Sequence, residues 1–253
     1  MRKRINNGEK IFYLLDKNNE VALYFFLIGH NKPFVLILPG GGYGDVCSLV
    51  EGYEIAIKLN ELGYNAFIGQ YRVGKKALHP NPQDDVATFI NFINNNAHKM
   101  SVDTKGYAII GSSAGGHLAG SWGLKTIGYD KYNLPKPQTL ILAYPVITMG
   151  EKTHVGSRNN LLGKDKNNIE LQKLYSIEKN IDKDYPPTFV WQCKEDNVVT
   201  LENSILLTDA LKANNIPYEY VQIEGKEHGL GLGIGSKAEG WLDKAVAFWN
   251  KQK

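Results

Sequence analysis

The 253-residue sequence predicts an α/β fold, a mostly parallel central sheet with helices on both faces. Three observations carry that prediction. Short unbroken apolar runs, such as Phe34-Val35-Leu36-Ile37-Leu38, read as strands buried on both sides. Stretches with apolar residues at helical spacing fall between those runs. A tight glycine-rich turn, Gly111-Ser112-Ser113-Ala114-Gly115-Gly116, joins one run to one helical stretch.

Taken in order, residues 9–28 read as a hairpin. Ile11-Phe12-Tyr13-Leu14-Leu15 and Val21-Ala22-Leu23-Tyr24-Phe25-Phe26 flank the polar turn Asp16-Lys17-Asn18-Asn19. The Phe34 run comes next and ends at Pro39-Gly40-Gly41-Gly42-Tyr43-Gly44. Ile55, Ala56, Leu59 and Leu62 place a helix over 49–62, stopped by Gly63. Residues 65–71 read as a strand, and Pro82 opens a helix with Val86, Phe89, Ile90 and Ile93 on one face. Tyr107-Ala108-Ile109-Ile110 leads into the glycine-rich turn, and His117-Leu118-Ala119 begins the helix beyond it. Three further strands are expected over 140–144, 188–193 and 218–223, with helices over 201–214 and 237–250. Residues 149–186 interrupt the alternation. They are rich in Lys and Asn, carry a short helical pattern near Ile169 and Leu174, and read as a small lid or a solvated insertion. No composition shift splits the chain, so one domain over 1–253 is expected.

Composition narrows the function classes. Apolar residues make up 43% and charged residues 22%, as in an ordinary globular protein. The formal charge of +3 is spread among acidic residues and leaves no nucleic-acid footprint. Met1-Arg2-Lys3-Arg4 is basic, but polar residues follow it instead of an apolar signal segment, and no run is long enough to span a bilayer. A cytoplasmic protein without a membrane partner is expected. Cys47 and Cys193 lack metal-type spacing and read as reduced and partly buried. No H-E-x-x-H pattern or cysteine cluster calls for a metal, and nothing calls for a cofactor.

The turn carries the chemistry. Ser within G-x-S-x-G, between a strand and a helix, is the context of an exposed nucleophile, Ser113. Strand and helix approach so closely there that glycine is expected at 111 and 115. The helix start turns free N–H groups toward an oxyanion formed beside Ser113. A serine of this kind needs a base, and in this architecture the chain order is Ser, then acid, then His. Of six histidines, only His154 and His228 lie well downstream. His228 sits in the glycine-rich loop after the last strand and is the expected base; His154, in the insertion, is the lesser candidate. His117, one turn beyond Ser113, reads as a packing residue near the site, and His30, His79 and His98 lie in polar surroundings. Asp196, just past the 188–193 strand, is the expected acid, with Glu195 its neighbour and rival. Gly41, Gly42 and Ala114 are the expected oxyanion donors. A phosphate loop at 39–44 is disfavoured, since neither G-x-G-x-x-G nor G-K-[ST] occurs there.

With those residues in place, the chain resembles the bacterial acetyl esterase and xylan-esterase-like branch of the α/β-hydrolases, near the hormone-sensitive-lipase group. The resemblance spans residues 34–249. It includes Pro39-Gly40-Gly41-Gly42-Tyr43, Glu51-Gly52, Tyr71-Arg72, the Ser113 turn, Tyr144-Pro145, Asp196, Asn203-Ser204 and His228-Gly229-Leu230. It implies an α/β-hydrolase fold, a Ser113–His228–Asp196 triad, and hydrolysis of short acyl esters, often acetyl groups on sugars. Pro39 stands where the lipase group has histidine, a departure the esterase branch tolerates. The expected partner is a small-molecule ester such as an acetylated sugar. Two other classes share this scaffold. One is a ligand-binding protein on an inactive hydrolase scaffold, which would usually have lost a triad member. The other is an exopeptidase, whose relatives usually carry a large additional domain.

Overall fold

The computed structural model describes residues 12–18 and 20–252. Among the described residues, eight strands form one sheet: β1 (Phe12–Leu14), β2 (Ala22–Phe26), β3 (Lys32–Leu38), β4 (Asn65–Gln70), β5 (Val102–Ser112), β6 (Thr139–Ala143), β7 (Thr188–Cys193) and β8 (Tyr218–Ile223). Their order is β1-β2-β4-β3-β5-β6-β7-β8. The β1–β2 and β2–β4 pairs are antiparallel, and every pair from β4 to β8 is parallel.

Side-chain alternation explains the two faces. Along β3, Phe34, Leu36 and Leu38 point into one core, and Val35 and Ile37 into the other. Along β7, Val190 joins the first core, while Phe189, Trp191 and Cys193 join the second. Helices α2 (Asn81–Met100), α3 (Ser113–Trp122) and α6 (Glu202–Ala213) close the first core with Phe89, Ile93, Leu118, Trp122, Leu207 and Leu211. Helices α1 (Glu54–Glu61) and α7 (Trp241–Asn250) close the second with Ile55, Leu59, Trp241 and Trp249. A strand buried on both faces has no polar side to alternate with, which is why these strands read as continuous apolar runs.

Several boundaries differ from the sequence expectation. The 49–62 helix divides into a π-helical turn, Leu49–Tyr53, and α1. β5 begins at Val102, well before the apolar run, through the polar residues Asp103, Thr104 and Lys105. The last helix begins at Trp241, after a glycine-rich loop, and not at 237. In 149–186 the expected pattern near Ile169 is α5 (Ile169–Tyr175), and a further helix, α4 (Val155–Leu162), precedes it. In the hairpin, Ile11 and Asn19 lie outside the described residues. Among the described residues, no helix is long and apolar enough to cross a membrane. Both cysteines are free; Cys193 is buried, but Cys47 is exposed, contrary to the partial burial expected of it.

Candidate active site

The site forms where β5 ends and α3 begins. Ser113 occupies the left-handed region at φ 52°, so the chain reverses within one residue. Gly111 and Gly115 serve this turn differently. A Cβ at Gly111 would lie 2.3 Å from the Gly115 carbonyl oxygen, the strand-to-helix approach expected from the motif. A Cβ at Gly115 would instead lie 2.0 Å from the Leu38 carbonyl oxygen, so that glycine admits the end of β3.

Three side chains then line up. His228 Nε2 lies 2.9 Å from Ser113 Oγ, and His228 Nδ1 lies 2.7 Å from Asp196 Oδ2. The Asp196 side chain is fully buried and that of His228 is 13% exposed, so the pair is largely shielded from water. Asp196 Oδ1 accepts the N–H groups of Val198 and Val199 at 2.9 and 3.1 Å. Behind it, Gln192 Nε2 donates to Asp196 Oδ2 at 3.4 Å, and Ser204 Oγ donates to Gln192 Oε1 at 2.6 Å. Glu195, the rival acid, is exposed, whereas Asp196 is buried.

The glycine loop after β3 lies directly against the serine: a Cβ at Gly40 would fall 2.8 Å from Ser113 Cβ. Gly41 and Gly42 have φ of 129° and 63°. The Gly41 carbonyl accepts Gly44 N–H at 2.9 Å and Asp45 N–H at 3.1 Å, and the Gly42 carbonyl accepts Asn160 Nδ2 at 2.9 Å. Both carbonyls are thus engaged within the protein. Ala114 lies in the first turn of α3, where N–H groups have no intrahelical acceptor.

The other histidines have separate tasks. His117 is buried between two fixed partners: its Nε2 donates to the Tyr175 carbonyl at 2.7 Å, and its Nδ1 accepts the Tyr43 hydroxyl at 2.8 Å. A carbonyl can only accept, which fixes the neutral tautomer. Burial lowers the His117 pKa to about 4. His154 caps α4, its Nδ1 accepting the Ser157 N–H at 3.3 Å, and its ring flanks Gly42. Burial is the first cause that lowers its pKa, with His228 next. His79 sits tilted against the Tyr175 ring at 5.1 Å, while His30 and His98 are exposed.

Two site residues carried no role in the sequence reading, though both lie in motifs of the resemblance. Glu51 is buried in the π-helical turn, and Tyr144, at φ 38° just past β6, packs its ring edge-on at 4.7 Å from that of His228.

Comparison with known proteins gives concordant results. The family model described as BD-FAE matches residues 28–211. The chain is 37% identical over 219 residues to endo-1,4-beta-xylanase B of Butyrivibrio fibrisolvens, covering 82% of this chain and 34% of that protein. It is 29% identical over 259 residues to an acetylxylan esterase of Xylanibacter ruminicola, covering 99% of this chain and 52% of that one. The chain therefore spans from about a third to about half of the length of these curated relatives. Among solved structures, an acetyl ester-xyloside bifunctional hydrolase from Caldicellulosiruptor lactoaceticus superposes with a TM-score of 0.82 at 28% identity, over 94% of this chain and 96% of that one. MGS-M1, an alpha/beta hydrolase from a Medee basin deep-sea metagenome library, gives 0.75 at 25% identity, over 95% and 96%. The fold is that of the α/β-hydrolases.

Proposed function

This chain belongs to the BD-FAE family, and from that membership we propose that it is a carboxylesterase cleaving short acyl esters, acetyl esters foremost, through an acyl-enzyme. The observation that carries the reading is the unbroken chain of hydrogen bonds from Ser113 through His228 to Asp196. In it, His228 Nε2 takes the Ser113 proton as Oγ attacks the ester carbonyl. Asp196 holds the Nδ1–H tautomer and stabilises the imidazolium, while its own charge is steadied by the N–H groups of Val198 and Val199. The N–H groups of Ala114, Gly41 and Gly42 receive the oxyanion. His228 returns the proton to the leaving alcohol, then activates water to release a short carboxylic acid. No step asks for a metal or an organic cofactor.

An acetylated sugar is the substrate we favour. Support comes from relatives whose names include acetylxylan esterase and acetyl ester-xyloside hydrolase. A single domain with 149–186 as an insertion, and cytoplasmic residence, belong to the same proposal; the latter is supported by the unpaired cysteines.

Turnover of p-nitrophenyl acetate and of acetylated xylo-oligosaccharides by the wild type and by Ser113→Ala tests the reading. Wild-type activity should fall on the order of 10⁶-fold in kcat on losing the hydroxyl. Equal turnover by the two proteins would remove Ser113 as nucleophile. Activity confined to aryl acetate would remove the sugar. A folded wild type that hydrolyses no ester and resists a fluorophosphonate would point to a binding protein on this scaffold.

A further inference from the structure

Two loops must meet at Ser113: the glycine loop after β3 and the His228 loop after β8. One buried carboxyl group is bonded to the first directly and to the second through Tyr144. Glu51 is 4% exposed. Its Oε2 accepts the Gly40 N–H at 2.7 Å, and Gly40 is the glycine pressed against Ser113. Its Oε1 accepts the Tyr144 hydroxyl at 2.8 Å. The Tyr144 oxygen in turn accepts the Gly231 N–H at 3.2 Å, three residues past His228, and the Tyr144 ring packs against the His228 ring. Burial, and then the nearby Glu51, push the Tyr144 pKa well up, so the phenol remains a donor.

An acidic side chain is costly to bury, and the cost is tolerable only when its oxygens are satisfied. A core role alone would be served by an apolar residue. The partners here are not scattered core groups: they lead to one main-chain N–H in each of the two loops beside Ser113, Gly40 directly and Gly231 through Tyr144. We propose that Glu51 is a positioning residue which, through Tyr144, sets the distance between the oxyanion loop and the His228 imidazole. The inference rests on the reading of Ser113 and His228 as nucleophile and base. Without Glu51, the Gly40 N–H loses its acceptor and the Tyr144 hydroxyl loses the group that aims it at Gly231. Both loops are then free to drift, and a misplacement of about 1 Å can cost on the order of 10²-fold in rate.

The test compares Glu51→Ala, Glu51→Gln, Tyr144→Phe and the double variant Glu51→Gln/Tyr144→Phe with the wild type and Ser113→Ala. p-Nitrophenyl acetate is the substrate, and rates are taken per molecule folded by circular dichroism. Tyr144→Phe keeps the ring on His228 and removes only the hydroxyl. The expected result is a fall of about tenfold to hundredfold in kcat for Glu51→Ala and Tyr144→Phe, with KM moved less than about threefold. Glu51→Gln should recover part of the loss, because its amide oxygen still accepts from Gly40. The double variant should be no worse than the poorer single by more than about threefold, since both changes cut one linkage. Amide exchange at Gly40 and Gly231 should speed up together in Tyr144→Phe. A lowered melting temperature with wild-type kcat in Glu51→Ala and Tyr144→Phe would overturn the proposal and leave Glu51 a stability residue. If Glu51→Ala does not fold, Tyr144→Phe decides alone. A wild type with no ester turnover, or a Ser113→Ala variant as active as the wild type, would end the catalytic reading itself and the positioning role with it. An active wild type with unaffected variants would end only the latter.

Discussion

The turn at Ser113 and the segment 149–186 both border the same site, but they are built on opposite principles. At the turn, main chain meets main chain. Gly111 faces the Gly115 carbonyl, Gly115 faces the Leu38 carbonyl, and α3 is buried along its whole length. In 149–186, Leu161, Tyr175 and Ile177 pack into the first core, the glycines at 150, 156 and 163 meet side chains and not carbonyls, and polar side chains make the remaining ties. Asn160 reaches the Gly42 carbonyl, Arg158 reaches the carbonyls of Met149 and Gly150, and Asn168 caps α5. A side chain can rotate to absorb a change where a carbonyl in a sheet cannot. The first region should therefore fail abruptly on small substitutions, and the second should yield gradually.

The largest effect expected at the first region is chemical. Asp196→Asn keeps the shape of the group but favours the wrong His228 tautomer, and kcat should drop by roughly 10⁴-fold with the fold intact. A drop below tenfold, measured with p-nitrophenyl acetate, would place the orienting role elsewhere. The next effect is steric. Gly115→Ala adds one methyl against the Leu38 carbonyl, and no flexible side chain is there to give way. Destabilisation of about 3 kcal/mol or more is expected in urea titration, at the upper end of overpacking costs. A loss under 1 kcal/mol would show that the turn gives more readily than its packing implies.

The same region sets a pH dependence. Burial holds His117 down to about 4, whereas a histidine in the unfolded chain titrates near 6.5. Between those values the unfolded chain binds the proton that the folded chain refuses, so stability rises with pH across the window and is lost as acid is added. The whole change amounts to a few kcal/mol at most, on the order of 1.4 kcal/mol per unit of pH. His117→Gln can keep both partners, donating to the Tyr175 carbonyl and accepting from Tyr43. It should flatten the melting-temperature profile between pH 6.5 and 4, and an unchanged slope would assign the acid sensitivity to other groups. The smallest effect belongs to the second region. Asn168→Ala removes a cap that takes the N–H groups of Glu170 and Leu171, and about 1 kcal/mol or less should be lost, with ester turnover unchanged. A loss of several kcal/mol there would erase the contrast between the two regions.

The contrast also explains what could be read from the sequence. Phe34, Leu36 and Ile37 announce a strand because both faces of the sheet are covered, and Ser113 stands out because Gly111 answers to the Gly115 carbonyl within the same short stretch, although Gly115 itself answers to distant Leu38. Helix α4 escaped because VGSRNNLL has no apolar stripe; it is held by the His154 cap, by Asn160 on the glycine loop and by Leu161 and Leu162 at its end, buried in the first core. The early start of β5 escaped because Asp103, Thr104 and Lys105 pattern as a loop; Val102 and Asp103 pair with Lys32 and Pro33 of β3, and the register then shifts before Ala108 pairs with Val35. Glu51 escaped for a different reason. Its partners lie 11 and 93 positions away along the chain, and no local periodicity marks an acidic residue that the fold will bury.

The left-handed backbone at Ser113 has one more consequence. An isolated peptide would seldom visit that conformation, and nothing within the G-x-S-x-G stretch compels it; the closing of α3 onto the ends of β3 and β5 does. The hydroxyl meets an imidazole only where the fold brings together two residues 115 positions apart. Its reactivity toward a fluorophosphonate would then report molecules in which those two residues have met.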